Sequence, residues 1–368
     1  MKIVVVGSTQ GKGGLHTHFR LLLEFLVAEK HDVMAIGIGD TASETLAAEG
    51  IREAHCVSHH APGLVDKVRK YLQMRRSIIA AVRFAPDLFV AAGMGNGYAR
   101  IARGIGPRAF RFYQEVIHTA LPYKQRLNLL DAVDAVAVQS PMMCRSYRAH
   151  ITTTKPVGCL PCFAEVLPGA HLARLPAPGD ALRFAYFGRL AENKGLCELV
   201  RAIAKVRDQI NATLDIHGEG AERASIEAAI RQAGMEDSIR VCGTYPGGAA
   251  YPEMLSSYHA LLLPSMWGEG LPLILLEAMS VGLPFLGTRI GAIPDAAVDN
   301  PDAMIVEPDE AGMAEGLVRM ASALREGRIS NARARSLYER KFSMPGMAAE
   351  WRKMLADPRG YFESGVSQ

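Results

Sequence analysis

The sequence is poor in the features that mark several protein classes. Only six cysteines occur among 368 residues, too few for a disulfide framework, which favours a reducing compartment. No uninterrupted apolar run is long enough to span a bilayer. The apolar start at Met1 is too short for a signal peptide, so we expect a first strand there. These absences, with a formal net charge of only +3, favour a cytoplasmic, globular protein.

The order of apolar segments predicts two domains, because 368 residues exceed one ordinary core. In each half, strand patterns alternate with helix patterns, and this predicts an α/β fold of two Rossmann-like, doubly wound parallel-sheet domains. The predicted strands are 2–6, 32–37, 87–91, 110–115, 135–139 and 155–160, then 183–188, 212–218, 238–242, 260–263, 284–287 and 303–306. The predicted helices are 14–29, 64–83, 98–105, 123–132 and 141–150, then 195–208, 221–233 and 308–355.

A segment rich in Pro, Ala and Gly, residues 167–180, reads as the connector between the domains. We therefore predict an N-terminal domain over 1–170 and a C-terminal domain over 171–344. Ligands of such sheets bind beyond the carboxyl ends of the strands, so a cleft between the two domains is the expected site.

Charge is distributed unevenly between the halves. Residues 1–170 contain 20 Lys and Arg against 13 Asp and Glu, whereas residues 171–368 contain 21 against 25. Residues 67–111 hold ten of the basic residues, Arg75 and Arg76 among them, and one acid, Asp87. Such a field attracts an anionic acceptor, a lipid surface or nucleic acid, although a solvated helix face is the ordinary alternative.

One stretch of the second half combines a strand, a glycine loop and a helix. A buried strand over 259–265 is followed by Gly268, Glu269 and Gly270, and a helical pattern opens at Pro272. Amides near Leu271 and Leu273 would then face an anion at the start of the helix. With Glu277 positioned to accept hydrogen bonds from ribose hydroxyls and Glu269 near a sugar, the stretch suits a nucleoside-diphosphate sugar.

The pair Glu269 and Glu277 lies within E-G-L-P-L-I-L-L-E-A-M. This E-x7-E arrangement resembles the signature of the retaining, family-four glycosyltransferases (glycosyl transferases group 1), which have the GT-B fold. The resemblance implies that Glu269 acts on the donor sugar and that Glu277, Gly270, Leu271 and Leu273 bind the donor. It also implies a last helix, about 345–368, that packs back on the first domain. The alternative is a loop glutamate and a helix glutamate in ordinary ion pairs.

Arg189 and Lys194 follow the first strand of the second half and resemble the phosphate-binding pair of that family. Arg offers a planar fork and Lys a point charge, so together they can neutralise a leaving diphosphate. Two solvated loop charges are the alternative. The sequence contains no Asp-x-Asp metal motif, and we expect no metal or other cofactor, because protein cations and a helix start can stabilise the diphosphate.

Histidines and glycines of the first half supply further candidates. The P-loop and dinucleotide fingerprints both fail around Gly11, but the segment from Gly13 and Gly14 to His16 and His18 resembles the family's G-G-x-x-x-H, which implies contacts to donor or acceptor. His118 resembles a family histidine that contacts the donor sugar, although Thr119 stands where an aspartate is usual. A tight turn and structural histidines are the alternatives.

Three weaker signals complete the candidate site. Gly218, in a Gly-x-Gly turn after a strand, and Tyr245 resemble the family's nucleoside-binding region. Cys159 and Cys162 form a lone C-x-x-C, for which packing is the favoured interpretation.

We expect a retaining transfer of a hexosyl-type sugar from a nucleotide-sugar donor to a glycan or lipid-linked acceptor, with Glu269 and His118 as catalytic residues. Peripheral association with the inner face of an anionic membrane is consistent with the basic segment. An epimerase or inverting transferase of the same fold is an alternative. A nucleic-acid-binding regulator is a more distant one, since no helix-turn-helix or zinc module supports it. We therefore expect no nucleic acid partner.

Overall fold

The computed structural model describes residues 1–9, 14–39, 50–57, 63–93, 95–116, 124–164, 167 and 171–364. The chain forms two compact units: unit 1 is Met1–Glu165 with Met347–Gln368, and unit 2 is Val166–Gly346. The sequence placed the corresponding boundaries at 170/171 and 344/345. The chain therefore returns to unit 1 after it completes unit 2.

Unit 1 contains a parallel sheet of seven strands in its described residues. The strands are β1 (Lys2–Ser8), β2 (Asp32–Ile38), β3 (Ile51–Val57), β4 (Leu88–Ala92), β5 (Phe110–Glu115), β6 (Ala135–Val138) and β7 (Val157–Cys159). Their order is β3-β2-β1-β4-β5-β6-β7. The central strands β1, β4 and β6 are buried along nearly their whole length, as expected where helices cover both faces of a parallel sheet.

In the described part of unit 1, five helices connect these strands. They are α1 (Gly14–Ala28), α2 (Leu64–Phe84), α3 (Asn96–Ile105), α4 (Lys124–Leu130) and α5 (Pro141–His150). The sequence predicted each of them but not β3. That strand lies at the edge of the sheet, and its sequence contains Arg52, Glu53 and His55. An edge strand needs no continuous apolar run, so the pattern that identified the central strands is missing there.

Unit 2 repeats the architecture with six parallel strands in its described residues. The strands are β8 (Leu182–Phe187), β9 (Ala212–His217), β10 (Ile239–Gly243), β11 (Ala260–Leu263), β12 (Phe285–Thr288) and β13 (Ala303–Val306). Their order is β10-β9-β8-β11-β12-β13, so the direction of winding reverses between β8 and β11. In such sheets the crevice at this reversal is the place where ligands bind.

The helices of unit 2 are α6 (Leu196–Ile210), α7 (Arg223–Gln232), α8 (Ala250–Ser256), α9 (Leu273–Ser280), α10 (Ile293–Ala297), α11 (Glu310–Arg325) and α12 (Asn331–Lys341). The short helices α8 and α10 were not predicted, because five or seven residues give too little periodicity to identify.

The predicted helix 308–355 is wrong as a single element. The structure divides the segment into α11, α12 and α13 (Met344–Ala356), and α14 (Pro358–Ser364) follows. Gly327 is in the left-handed region (φ 66°), and the Ser330 hydroxyl accepts the amide of Arg333 at 3.3 Å to cap α12. These turn and capping signals stop the helix despite its good interior propensity.

The last two helices are anchored in unit 1 by aromatic side chains. Trp351 is fully buried, and its indole N–H donates to the Pro161 carbonyl at 2.9 Å. Phe362 is also fully buried, 5.2 Å from the Phe112 ring. Among the helices in the described part of the chain, none combines the length and hydropathy needed to cross a membrane.

Candidate active site

The side chain of Glu269 is buried at the winding reversal of unit 2. Glu269 is only 6% exposed, and one of its carboxylate oxygens accepts the ammonium of Lys194 and the Ser265 hydroxyl, the latter at 2.5 Å. Lys194 follows β8 and Glu269 follows β11, the two strands that flank the reversal. The structure thus brings together a cation and a carboxylate that are 75 residues apart in sequence.

Backbone contacts hold the two loops that carry this pair. The amide of Met266 donates to the Asn193 carbonyl at 2.8 Å, and the Asn193 side chain donates to the Trp267 carbonyl at 3.0 Å. Gly195, at φ 63°, closes a single 3-10 turn over Glu192–Lys194. A Cβ there would lie 2.2 Å from the Pro264 carbonyl oxygen. Only glycine permits this approach, which fixes Lys194 against the loop of Glu269.

Arg189 is exposed at the mouth of the same region. Its carbonyl accepts the Tyr186 hydroxyl at 2.8 Å, which fixes the backbone of this exposed residue. Burial raises the pKa of Tyr186 well above its usual range, the charge of Glu269 adds to that rise, and Arg189 opposes it. The pKa of Tyr186 therefore depends on both charges, and its neutral hydroxyl remains a hydrogen-bond donor at physiological pH.

The Gly-x-Gly turn after β9 packs directly on the loop after β8. Gly218 has φ 140°, and a Cβ there would lie 1.7 Å from the Gly188 carbonyl oxygen. The Gly188 amide donates to the His217 carbonyl at 3.0 Å, and Leu190 donates to Glu219 at 2.9 Å. Gly218 is therefore needed for the close approach that positions Arg189.

Glu277 and Tyr245 both contact Tyr251. Tyr251 donates its hydroxyl to Glu277 at 2.6 Å, and the Tyr245 ring stacks on Tyr251 at 5.2 Å. Burial raises the pKa of Tyr245, and the nearby Glu277 charge raises it further. Tyr245 also meets the Phe187 ring edge-to-face at 5.1 Å, so a partly exposed aromatic surface lies beside a carboxylate.

The start of α9 differs slightly from the prediction. Pro272 precedes the helix as its N-cap (φ −70°, ψ 120°), and Leu273 is the first helical residue. Leu271 is buried and Leu273 half-buried. The Gly270 carbonyl accepts the amide of Ala292 at 3.3 Å, which ties the loop to the segment after β12.

The histidine prediction for α1 requires a correction. His18 is 1% exposed, its Nδ1 accepts the Phe163 amide at 2.9 Å, and its Nε2–H donates to Gln114 at 2.6 Å. Burial lowers the pKa of His18 to about 4, against the smaller opposing effect of Gln114. Because both ring nitrogens are committed inside unit 1, the prediction that His18 binds the acceptor is wrong.

The other predicted residues of unit 1 have varied positions. Gly14 is the exposed first residue of α1, and His16 is half-buried one turn from its start. Arg75 and Arg76 are exposed on α2. Gly13 and His118 lie outside the described residues.

Sequence reasoning missed Ser265 and Tyr251, which hydrogen-bond to the two predicted glutamates. Neither belongs to a recognisable motif. Ser265 lies four residues before Glu269, a spacing that means nothing until the loop conformation is known. Tyr251 lies on α8, a helix that the sequence did not reveal.

The predicted C-x-x-C behaves as a packing feature in the structure. Cys162 is buried, accepts the Gln139 amide at 3.0 Å, and has a pKa raised by burial to about 12.

Solved structures define the fold class. The chain aligns with sucrose-phosphate synthase of Thermosynechococcus elongatus at a TM-score of 0.77 and 17% identity, over 98% of this chain and 99% of that chain. It aligns with Anabaena HepE, solved with UDP and glucose, at a TM-score of 0.74 and 14% identity, over 97% and 99%. At these identities the likeness shows the fold alone, and it confirms the predicted GT-B class of two Rossmann-like parallel-sheet domains.

Unit 2 also carries a family relationship. Residues 181–323 match the family described as Glycosyl transferases group 1, which is the family that the motifs of this segment resemble.

Two characterised relatives match part of the chain. The N-acetyl-alpha-D-glucosaminyl L-malate synthase of Bacillus anthracis is 31% identical over 148 residues, 40% of this chain and 38% of that protein. The lipopolysaccharide core biosynthesis glycosyltransferase LpsD of Rhizobium meliloti is 26% identical over 209 residues, 55% and 59% of the two chains. The chain thus matches less than two thirds of either relative's length.

Proposed function

We propose that this chain is a glycosyltransferase that moves a hexosyl-type sugar, with retention at the anomeric carbon, from a nucleoside-diphosphate sugar to a glycan or lipid-linked acceptor. The observation that carries the proposal is the Lys194–Glu269 pair at the winding reversal of unit 2. It lies inside the segment that matches the group 1 family. Cell-surface polysaccharide or glycolipid assembly is the proposed setting, supported by the likeness to LpsD.

Arg189 and Lys194 hold the diphosphate of the donor in this proposal. The Arg189 side chain is exposed, and the Lys194 side chain, from the same loop, is largely buried. The amides at the start of α9 add the positive end of a helix dipole. Protein cations then stabilise the charge that develops on the departing diphosphate, and we propose that no metal cofactor is required for the transfer.

Glu277 and Tyr245 bind the nucleoside. Glu277 is oriented by the Tyr251 hydroxyl at 2.6 Å, and a carboxylate is the kind of group that accepts hydrogen bonds from ribose hydroxyls. The exposed face of Tyr245 offers a surface on which a base can stack. HepE was solved with UDP and glucose, which supports a nucleoside diphosphate at the equivalent fold position.

Glu269 works beside the sugar, where its carboxylate shields the positive charge of an oxocarbenium-like transition state. Its ion pair with Lys194 has a consequence for the cycle. Before the donor binds, each charge of the pair neutralises the other, so neither is left uncompensated in a buried site. When the diphosphate binds, Lys194 bridges the phosphate and Glu269, and the carboxylate is held at the sugar. His118 stays predicted to orient that sugar.

We propose that the chain reaches its acceptor at the surface of an anionic lipid bilayer, and that α2 contacts this bilayer. Seven apolar side chains of this helix are between 41% and 80% exposed: Leu64, Val65, Val68, Tyr71, Leu72, Ile79 and Val82. At about 100° per residue they form one stripe, opposite the buried Met74, Ser77 and Ala81. Basic residues, Arg69, Arg76 and Arg83 among them, flank the stripe, which is the pattern of a helix that lies in a membrane interface.

The donor site is tested first by thermal shift of the purified chain with UDP-, GDP-, ADP-, CMP- and dTDP-sugars. A ligand at a hundred times its Kd adds about 2.7 kcal/mol to stability. We expect a shift with one nucleotide class, lost in Glu277→Ala and kept in the control Glu307→Ala, whose side chain is exposed in unit 2. Equal shifts in both variants would remove Glu277 from the donor site.

Retention is tested on the product. With the identified donor, proton NMR of the first product formed should show the same anomeric configuration as the donor, and an inverted anomer contradicts the assignment. Activity should persist in EDTA if protein cations alone stabilise the diphosphate.

A further inference from the structure

Three potential metal ligands meet at the carboxyl ends of β9 and β10, on the opposite side of β8 from the winding reversal. A carboxylate oxygen of Asp215, a ring nitrogen of His217 and the sulfur of Cys242 all lie within 4.8 Å of one another. Asp215 and His217 are buried, and Cys242 is exposed. The proposed glycosyl transfer uses none of these three side chains.

The strands explain why the three side chains converge. Asp215 and His217 are two residues apart on β9 and therefore point to the same face of the sheet. On the edge strand β10 the register shifts between Val241 and Gly243. Cys242 is the residue at this irregularity, and bulges of this kind re-aim a side chain near a functional site.

Hydrogen bonds fix the imidazole in a form that can bind a cation. The Tyr258 hydroxyl donates its single proton to Asp215 at 3.0 Å. The contact of His217 Nε2 with that hydroxyl at 2.8 Å must therefore be an N–H donation to the oxygen. With the proton on Nε2, the lone pair of a neutral His217 ring lies on Nδ1.

We propose that Asp215, His217 and Cys242 bind a single Zn²⁺ ion or a similar thiophilic divalent cation, with water as a fourth ligand. The donor set of one thiolate, one imidazole and one carboxylate is suited to zinc rather than to magnesium or calcium. Ligands of a tetrahedral zinc ion are about 3.5 Å apart, so the side chains close in by about 1 Å. Exposed Cys242 on an edge strand can supply that movement.

One cation competes for the carboxylate. Arg240 donates to Asp215 at 2.9 and 3.0 Å, but its side chain is 69% exposed, and such exposed pairs contribute little to stability. The zinc ion takes its place on Asp215, which retains the Tyr258 bond on its other oxygen. Because Gly218 follows His217 directly, the ion would also stiffen the Gly-x-Gly turn.

Cobalt is the probe that tests the site, because a Co²⁺–thiolate bond gives a charge-transfer band that oxygen and nitrogen ligands do not give. The metal-free chain is titrated with Co²⁺ under reducing conditions and then with Zn²⁺. We expect one equivalent of Co²⁺ to produce tetrahedral visible bands with the charge-transfer band, and Zn²⁺ to remove both. Absence of the charge-transfer band in the wild-type chain overturns the proposal.

Matched variants assign the ligands. Cys242→Ser should lose the charge-transfer band, whereas Cys197→Ser, a change at a half-buried cysteine of α6 in the same unit, should keep it. Arg240→Ala removes the competing cation and should tighten Co²⁺ binding several-fold. A band that persists in Cys242→Ser, or weaker binding in Arg240→Ala, contradicts the site. These readouts require no glycosyl transfer, so they stand apart from the test of the proposed function.

Discussion

At the scale of single residues, the Lys194–Glu269 pair couples stability to the site. Only 13% of the lysine side chain and 8% of the glutamate side chain are exposed. Removing one partner leaves a buried charge uncompensated, which typically costs about 3–5 kcal/mol.

We therefore expect Lys194→Met to destabilise unit 2 by about 3 kcal/mol, measured by native-state hydrogen exchange of the β8 and β11 amides. The control Lys205→Met breaks an exposed pair with Glu310 and should cost at most about 1 kcal/mol. Adding Glu269→Gln to Lys194→Met should recover much of the loss, because no buried charge is then left. Equal losses of stability in the two lysine variants would show that the Lys194–Glu269 pair contributes no more than an exposed ion pair.

His18 makes the stability of unit 1 depend on pH. Burial holds its folded pKa at about 4, below the ordinary histidine value of 6.5, so between these values the unfolded chain binds the extra proton. The stabilisation is complete above pH 6.5 and is lost as the pH falls towards 4, by about 3 kcal/mol in all.

The measurement is urea unfolding followed by the fluorescence of Trp351, whose ring lies 6.3 Å from His18, in a Trp267→Phe background. His18→Gln should cost less stability at pH 4.5 than at pH 7.5, since the variant has no histidine to protonate. A cost that is the same at both pH values would show that His18 titrates normally.

At the scale of elements, the loops after β8 and β9 are held by a backbone contact that no side chain can replace. Gly218→Ala would force a Cβ to within 1.7 Å of the Gly188 carbonyl oxygen at φ 140°. Overpacking and backbone strain each cost about 1–3 kcal/mol, so we expect a loss of about 3 kcal/mol in the unfolding of unit 2 and weaker nucleotide binding.

Gly234→Ala is the matched control for this prediction. Gly234 also has a positive φ, 60°, but a Cβ there meets nothing within 4 Å. Gly234→Ala should cost only about 1 kcal/mol, from the left-handed backbone alone. Similar losses at the two positions would indicate that strain, and not the contact between loops, decides the role of Gly218.

The stripe on α2 allows apolar and electrostatic contributions to membrane binding to be separated. Arg75→Ala with Arg76→Ala should weaken binding to phosphatidylserine vesicles by about 30-fold, since each basic residue near the surface contributes about 1 kcal/mol. That effect should vanish at high salt. Val68→Ser with Leu72→Ser should weaken binding at every salt concentration, because apolar burial is not screened. Arg319→Ala, which changes an exposed side chain on α11 of unit 2, should change nothing, and sedimentation with vesicles measures all three.

At the scale of the whole molecule, the sequence predicted most strands because parallel sheets bury continuous apolar runs. It did not predict β3, whose polar residues lie at an edge, or the breaks between α11, α12, α13 and α14, which depend on turns. For the site, Lys194 and Glu269 were identified from their motifs, but their direct contact was not. That contact depends on the close approach of Gly195 to the Pro264 carbonyl. The approach exists only once the two loops have folded, so the local sequence pattern does not reveal it.

His18 shows the converse limit. Its spacing after Gly14 resembled a binding motif, yet the fold uses both ring nitrogens internally. Which face of α1 is covered depends on Gln114 and Phe163, residues distant in sequence. Local sequence thus indicates which chemistry is available, and long-range packing decides which of it is accessible.

Because the chain returns to unit 1, its last helices should stabilise unit 1 and not unit 2. Trp351 lies only five residues beyond Gly346, where unit 2 ends, but it is fully buried and packs on Phe163 at 5.7 Å. Trp351→Ala should therefore destabilise unit 1 by about 3–5 kcal/mol, the usual range for loss of a buried tryptophan, and leave unit 2 nearly unchanged.

Because the proposed nucleotide site lies in unit 2, calorimetry with a tight-binding nucleotide should identify the unit 2 transition as the one that shifts with ligand. The ligand-independent transition should move down in Trp351→Ala and stay in place in Lys353→Ala, whose side chain is exposed on the same helix. If the ligand-sensitive transition moved instead, α13 would belong energetically to unit 2. Because the end of the chain completes the core of unit 1, we expect unit 1 to reach its full stability only after unit 2 has been synthesised.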